Sequence, residues 1–178
     1  MAAPDLIEPV IGWRSWAAVA LPERTSFGLH SPVWPETLWP PGEALKSQCK
    51  VSSHRRPHLS CRCGIYAFKE EPDLRDLAHQ VTSPGYKYSS TIVVVGEVSL
   101  WGKVIEHERG FRAEYAYPRR LMPILPQPWP GPKDADPSWW VIHHELFSAY
   151  RVPVEFRCLD VSLRPPKWDP LAPPHGAG

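Results

Sequence analysis

No apolar run in the 178-residue sequence approaches the about 20 residues of a membrane-spanning helix, and stretches such as Ile92–Val95 are far too short. Net charge is only +1. No long-range field of one sign therefore marks a nucleic-acid binder, and such a role has to rest on a local patch. The opening Met1–Glu8 carries acid where a secretory signal carries positive charge, and it has no apolar core. A cytoplasmic location follows as the expectation, with cysteines kept reduced and metal binding ranking above disulfides. Internal repeats are absent. Asp and Glu are also absent from residues 46–62, a span that holds Lys46, Lys50, Arg55, Arg56 and Arg62.

What the chain has in excess is proline and tryptophan, 23 and 9 residues respectively. Interior prolines remove a backbone donor and clash with the preceding helical turn, so little room is left for long helices. Hydrophobic residues at 43% and charged residues at 22% give a globular balance. The length suits one ordinary domain.

The stretch that organises the reading is residues 49–67, which holds Cys49, His54, His58, Cys61 and Cys63 and ends in Gly64-Ile-Tyr-Ala67. In an extended strand, residues two apart point to one side, so the sulfurs of Cys61 and Cys63 face a common point. A closed tetrahedral zinc site needs four ligands; Cys49, His58, Cys61 and Cys63 supply them, with His54 as a substitute for His58. The bland alternative is three reduced thiols beside exposed histidines, and a disulfide from Cys49 to Cys61 or Cys63 is a third. A cysteine-dependent enzyme is a further reading, with Cys61 or Cys63 as nucleophile and His54, His58 or His107 as base. No orienting carboxylate sits near them in sequence, which argues against it.

Strand signals run from Val10 to Val19, from Gly64 to Phe68 and from Thr91 to His107. Gly96 and Gly102 mark bends in the last of these. Phe111–Tyr117 returns as the partner of a hairpin turned at Glu108-Arg109-Gly110. Short helices are expected at 42–48, at 71–81 and from Ser138 to Tyr150. Residues 20–41 and 123–137 read as Pro-punctuated loops, and Val154–Cys158 as a strand. Charges at Glu97, Glu106, Glu108, Arg112 and Glu114 are taken as the wet face of a half-buried sheet. Trp13, Trp16 and Trp101 are assigned to the core. Trp34, Trp39, Trp129, Trp139 and Trp140 fall in loops or beside proline, where they pin loops or build an aromatic site.

Three segments, Cys61-Arg-Cys-Gly-Ile-Tyr-Ala67, Leu100-Trp-Gly-Lys-Val104 and Arg112-Ala-Glu-Tyr-Ala-Tyr-Pro118, together with Gly12-Trp13-Arg14, resemble a set of small uncharacterised bacterial proteins. The resemblance covers roughly residues 10–155 and brings no activity. It implies that the Cys/His segment and the hairpin belong to one domain.

The expected architecture is mainly β, a curled antiparallel sheet or small barrel with two or three short helices and a zinc-stapled loop. Residues 1–9 form a flexible lead-in, 10–160 a single domain and 161–178 a Pro-rich disordered tail. The expected function is a non-catalytic binding module for nucleic acid or a protein partner. Its ligand site is assigned to Arg55, Arg56, Arg62, Trp34 and Trp39. A small-molecule sensor with an aromatic pocket is the remaining alternative.

Overall fold

Ile92-Val-Val-Val95 reads as a continuous apolar run because both faces of its strand are covered. Val94 enters the main core with Trp16, Val98, Leu100 and Leu121. Val93 and Val95 enter a second cluster with Met122, flanked by Trp13, Phe68 and Ile124. Two-sided burial of this kind removes the polar alternation of an ordinary sheet strand.

The computed structural model describes residues 8–20, 27–32, 36–49, 51, 53–54, 56–71, 92–125 and 137–158. The strands are β1 (Val10–Ala20), β2 (Phe27–His30), β3 (Leu38–Trp39), β4 (Leu45–Lys46), β5 (Ile65–Phe68), β6 (Ile92–Glu106), β7 (Gly110–Leu125) and β8 (Arg157–Cys158). The helix α1 spans Pro137–Tyr150. The fold is mainly antiparallel β, as expected, with one helix among the described residues.

The sheet curls into an uneven ring. β6 pairs antiparallel with β1 on one side and with β7 on the other. β5 pairs with β7, and it meets β1 through the single register pair Trp13↔Phe68, which closes the circuit. β2 and β3 extend the sheet from the far end of β1, while β4 and the parallel β8 line the outer edge of β7. The register between β6 and β7 shifts at Glu97/Val98 and between Trp101 and Val104, beside the two glycines expected to bend the strand. At Gly96 the β7 backbone comes so close that a Cβ would collide with the Arg120 carbonyl.

Several expectations change. Residues 42–48 form no helix: Gly42 turns the chain at φ 74°, and Leu45 and Lys46 pair with Ala116 and Tyr115. A helix that short costs more to nucleate than it returns in hydrogen bonds, and the open edge of β7 offers partners directly. The presumed loop 20–41 contains β2 and β3. β7 runs eight residues past Tyr117, through Pro118 and Pro123. Pro118 pairs with Val98 at the first register shift, a place where a missing N–H is tolerated. Residues 72–81 of the expected second helix, Trp34, Arg55, Trp129, residues 1–7 of the lead-in and the whole tail 161–178 lie outside the described residues.

The expected C-terminal helix is present, with Pro137 as its first residue. Ile142, Leu146 and Tyr150, four apart, bury its inner face. Tyr150 ties the layers together: its hydroxyl accepts the Leu29 amide at 2.8 Å and donates to the Trp39 carbonyl at 2.9 Å. Burial pushes its pKa up to about 12. No described helix is long and apolar enough to cross a membrane.

Candidate metal centre

The loop that follows β4 folds back over the outer face of β5 and β7. Along β5, Ile65 and Ala67 enter the core while Tyr66 faces out. Arg112 is the direct cross-strand partner of Tyr66 and shares its face. Arg112 is nonetheless only 5% exposed, because the loop lies on top of it. Its Nη1 donates to the carbonyls of Cys61 and, at 3.4 Å, of Cys63, and its Nε donates to His107 Nε2 at 2.8 Å. The loop is anchored at its other end by the Ser47 amide on the Glu114 carbonyl, 2.8 Å, and by Arg56 Nη1 on the Ser47 carbonyl, 3.2 Å. Gly64, at φ 127°, turns the loop into β5; a Cβ there would stand 3.1 Å from the Cβ atoms of Arg112 and Pro57.

This docking brings Cys49, His54, Cys61 and Cys63 to one point, their ligand atoms all within 4.8 Å of one another. Cys49 Sγ lies 3.5 Å from His54 Nε2 and 3.7 Å from Cys61 Sγ, and Cys63 Sγ lies 3.8 Å from His54 Nε2. The 3.7 Å between the Cys49 and Cys61 sulfurs is far from the about 2.05 Å of a disulfide, so the two are not bonded to each other. The amide of Cys63 and then the His54 ring lower the Cys61 thiol pKa, whereas burial pushes that of Cys63 up. Three sulfurs and an imidazole nitrogen at these separations can hold a metal ion.

The sequence reading preferred His58 and kept His54 as substitute; the structure exchanges them. His58 is exposed, its Nδ1 accepting the Ser60 amide at 3.3 Å and lying 2.9 Å from Ser60 Oγ. The turn closed by the Cys61 amide on the His58 carbonyl leaves the ring outside the cluster.

Of the expected ligand residues, Trp39, Arg56 and Arg62 are described, and they lie apart. Trp39 is 1% exposed and packs edge-on against Trp16, ring centroids 5.5 Å apart, with the Arg14 guanidinium 5.1 Å from its own ring centroid. A buried ring offers a ligand no face. Arg56 serves the loop anchor just described. Arg62 is exposed and lines a groove of about 550 Å³ with Leu59, Tyr66, His107, Arg109 and Phe111. Arg112 also lines it, and among the described residues no Asp or Glu does. Trp101, expected in the core, is half-buried and stacks on Tyr115 at 6.1 Å.

Sequence reasoning missed Arg112, which it took for a wet-face charge. The only hint was its place between two apolar residues of an alternating strand. No protein-family model, curated protein or solved structure matches the chain, so the geometry of the site carries its own interpretation.

Proposed function

We propose that the chain is a non-catalytic binding module whose Cys49, His54, Cys61 and Cys63 hold a structural zinc ion. The observation that carries this is the spacing of the ligand atoms. Tetrahedral zinc with ordinary bond lengths sets sulfurs about 3.8 Å apart and sulfur and nitrogen about 3.6 Å apart. Three of the six separations match closely, 3.7 Å for Cys49 to Cys61 and 3.5 and 3.8 Å from His54 to Cys49 and Cys63, and the other three lie within 4.8 Å. Four protein ligands close the coordination sphere, which is the arrangement of a structural site and leaves no position for substrate.

The groove beside the loop supports the binding part of the reading. Its described lining combines Arg62 with the apolar surfaces of Leu59, Tyr66 and Phe111, and no described Asp or Glu lines it. Such a surface suits an anionic partner, a nucleic-acid strand or an acidic protein segment. Of the tryptophans assigned to that task, Trp39 is core and Trp34 lies outside the described residues.

The test is metal content of untagged protein, with thermal melting before and after chelation. One zinc per chain whose removal lowers the melting temperature is the expected result. Metal-free protein with an unchanged melt and rapid alkylation of Cys61 or Cys63 at neutral pH overturns it in favour of a thiol enzyme. For the groove, Arg62→Glu with Tyr66→Ala should abolish binding of anionic partners at low salt while zinc content stays at one per chain.

A further inference from the structure

Arg112 has a peculiar set of partners. Its guanidinium is nearly sealed from water, yet among the described residues it pairs with no carboxylate. Its polar contacts are two backbone carbonyls and an imidazole nitrogen, with the Tyr66 ring 5.9 Å away. All of these are neutral acceptors. A buried cation without a counter-charge is strongly unfavourable, and arginine, unlike lysine or histidine, does not escape by losing its proton. Its two carbonyl partners belong to Cys61 and Cys63, residues of the cluster itself.

Three thiolates around a divalent ion, with a neutral imidazole as the fourth ligand, leave one negative charge on the centre. We propose that Arg112 is the counter-ion of the metal centre: its fixed positive charge balances that excess and positions the loop that carries Cys61 and Cys63. The inference rests on the zinc reading. It adds a specificity rule, because the arginine matches a centre with one surplus thiolate and mismatches a neutral centre with two cysteines and two histidines. Outer-shell partners of metal ligands are typically worth about ten- to a hundredfold in metal affinity.

Zinc affinity measured by competition with a chromophoric chelator separates charge from hydrogen bonding. Arg112→Gln keeps an amide donor and loses the charge; Arg112→Lys keeps the charge and loses the planar fork. The proposal expects Gln to weaken zinc binding by about tenfold or more and Lys to stay within about threefold of wild type. Gln binding as tightly as wild type, or Lys binding as weakly as Gln, overturns it while leaving the zinc site intact. Wild type that takes up no zinc fails the zinc reading itself, visible before any variant is made, and removes the counter-ion with it.

A charge cycle gives the second check. Cys49→His makes the zinc centre neutral, and in that background Arg112→Gln should cost less than about threefold, against about tenfold in the native centre. An equal loss in both backgrounds overturns the proposal. If Arg112→Gln does not fold, Cys49→His alone decides. With the arginine left uncompensated, the zinc-loaded variant should show a folding equilibrium constant about tenfold or more below wild type. A zinc-loaded variant as stable as wild type overturns the proposal.

Discussion

The rings of His54 and His58 lie 4.9 Å apart and tilted by 41°, and only His54 turns a nitrogen into the thiol cluster. Two histidines of one loop thus have separable roles. His54→Ala should lose zinc together with the zinc-dependent part of the thermal stability. His58→Ala should retain one zinc per chain, because it removes the contacts with Ser60 and the ring packing on His54 but no atom of the cluster. Zinc quantification on the two variants checks this, and equal loss in both would assign the site wrongly.

Gly64 allows the metal loop to pass into β5. Ala there meets two penalties, a backbone at φ 127° and a Cβ crowded by Arg112 and Pro57. Gly64→Ala should destabilise the zinc-loaded protein by about 1–3 kcal/mol, measured by denaturant unfolding. The same substitution at Gly42, where an added Cβ would meet nothing within 4 Å, meets only the strain of its φ of 74° and should cost less.

Tyr150 makes a pH prediction. Its pKa is raised from 10 to about 12 in the fold by burial. Above the ordinary value the unfolded chain ionises while the folded one does not. The associated stability is therefore full below pH 10 and drains away as pH climbs through about 12. Tyr150→Phe should flatten this alkaline loss. It should also cost about 1–3 kcal/mol at neutral pH, because the Leu29 amide and the Trp39 carbonyl lose their buried partner.

Trp39 tests whether a loop tryptophan builds a ligand surface or the core. Trp39→Ala should cost about 3–5 kcal/mol of stability by leaving a cavity against Trp16. Partner binding by the folded fraction should be unchanged. Loss of binding with undiminished stability would return Trp39 to the ligand site.

Much of this architecture was legible where periodicity is long and uninterrupted. Val10–Val19 and the hairpin announce themselves by β-branched runs and by glycines at the bends. Ile142, Leu146 and Tyr150 mark a helix face. Legibility failed where tertiary partners decide. β3 and β4 are two residues each, too short for any period, and exist because an edge of β2 or β7 receives them. The partner strand is read only to Tyr117 because Pro118 follows it, and Pro123 gives the last residues of β7 the look of a loop. At the metal centre, the Cys-x-Cys spacing disclosed that two sulfurs converge, but nothing local ranks His54 above His58. Arg112 was illegible, since it becomes buried only when a loop about fifty residues upstream settles on it.

The ring is joined very unequally. β6 and β7 share eleven register pairs, whereas β5 and β1 share the single pair Trp13↔Phe68. Transient opening favours places with few backbone bonds to break, so the β1–β5 joint should be the seam where amide protons exchange first. The β6–β7 hairpin should protect its amides longest. The Cys/His loop keeps its anchors at Arg112 and Glu114 on β7, away from β1, so the ring can open at that seam while those anchors hold.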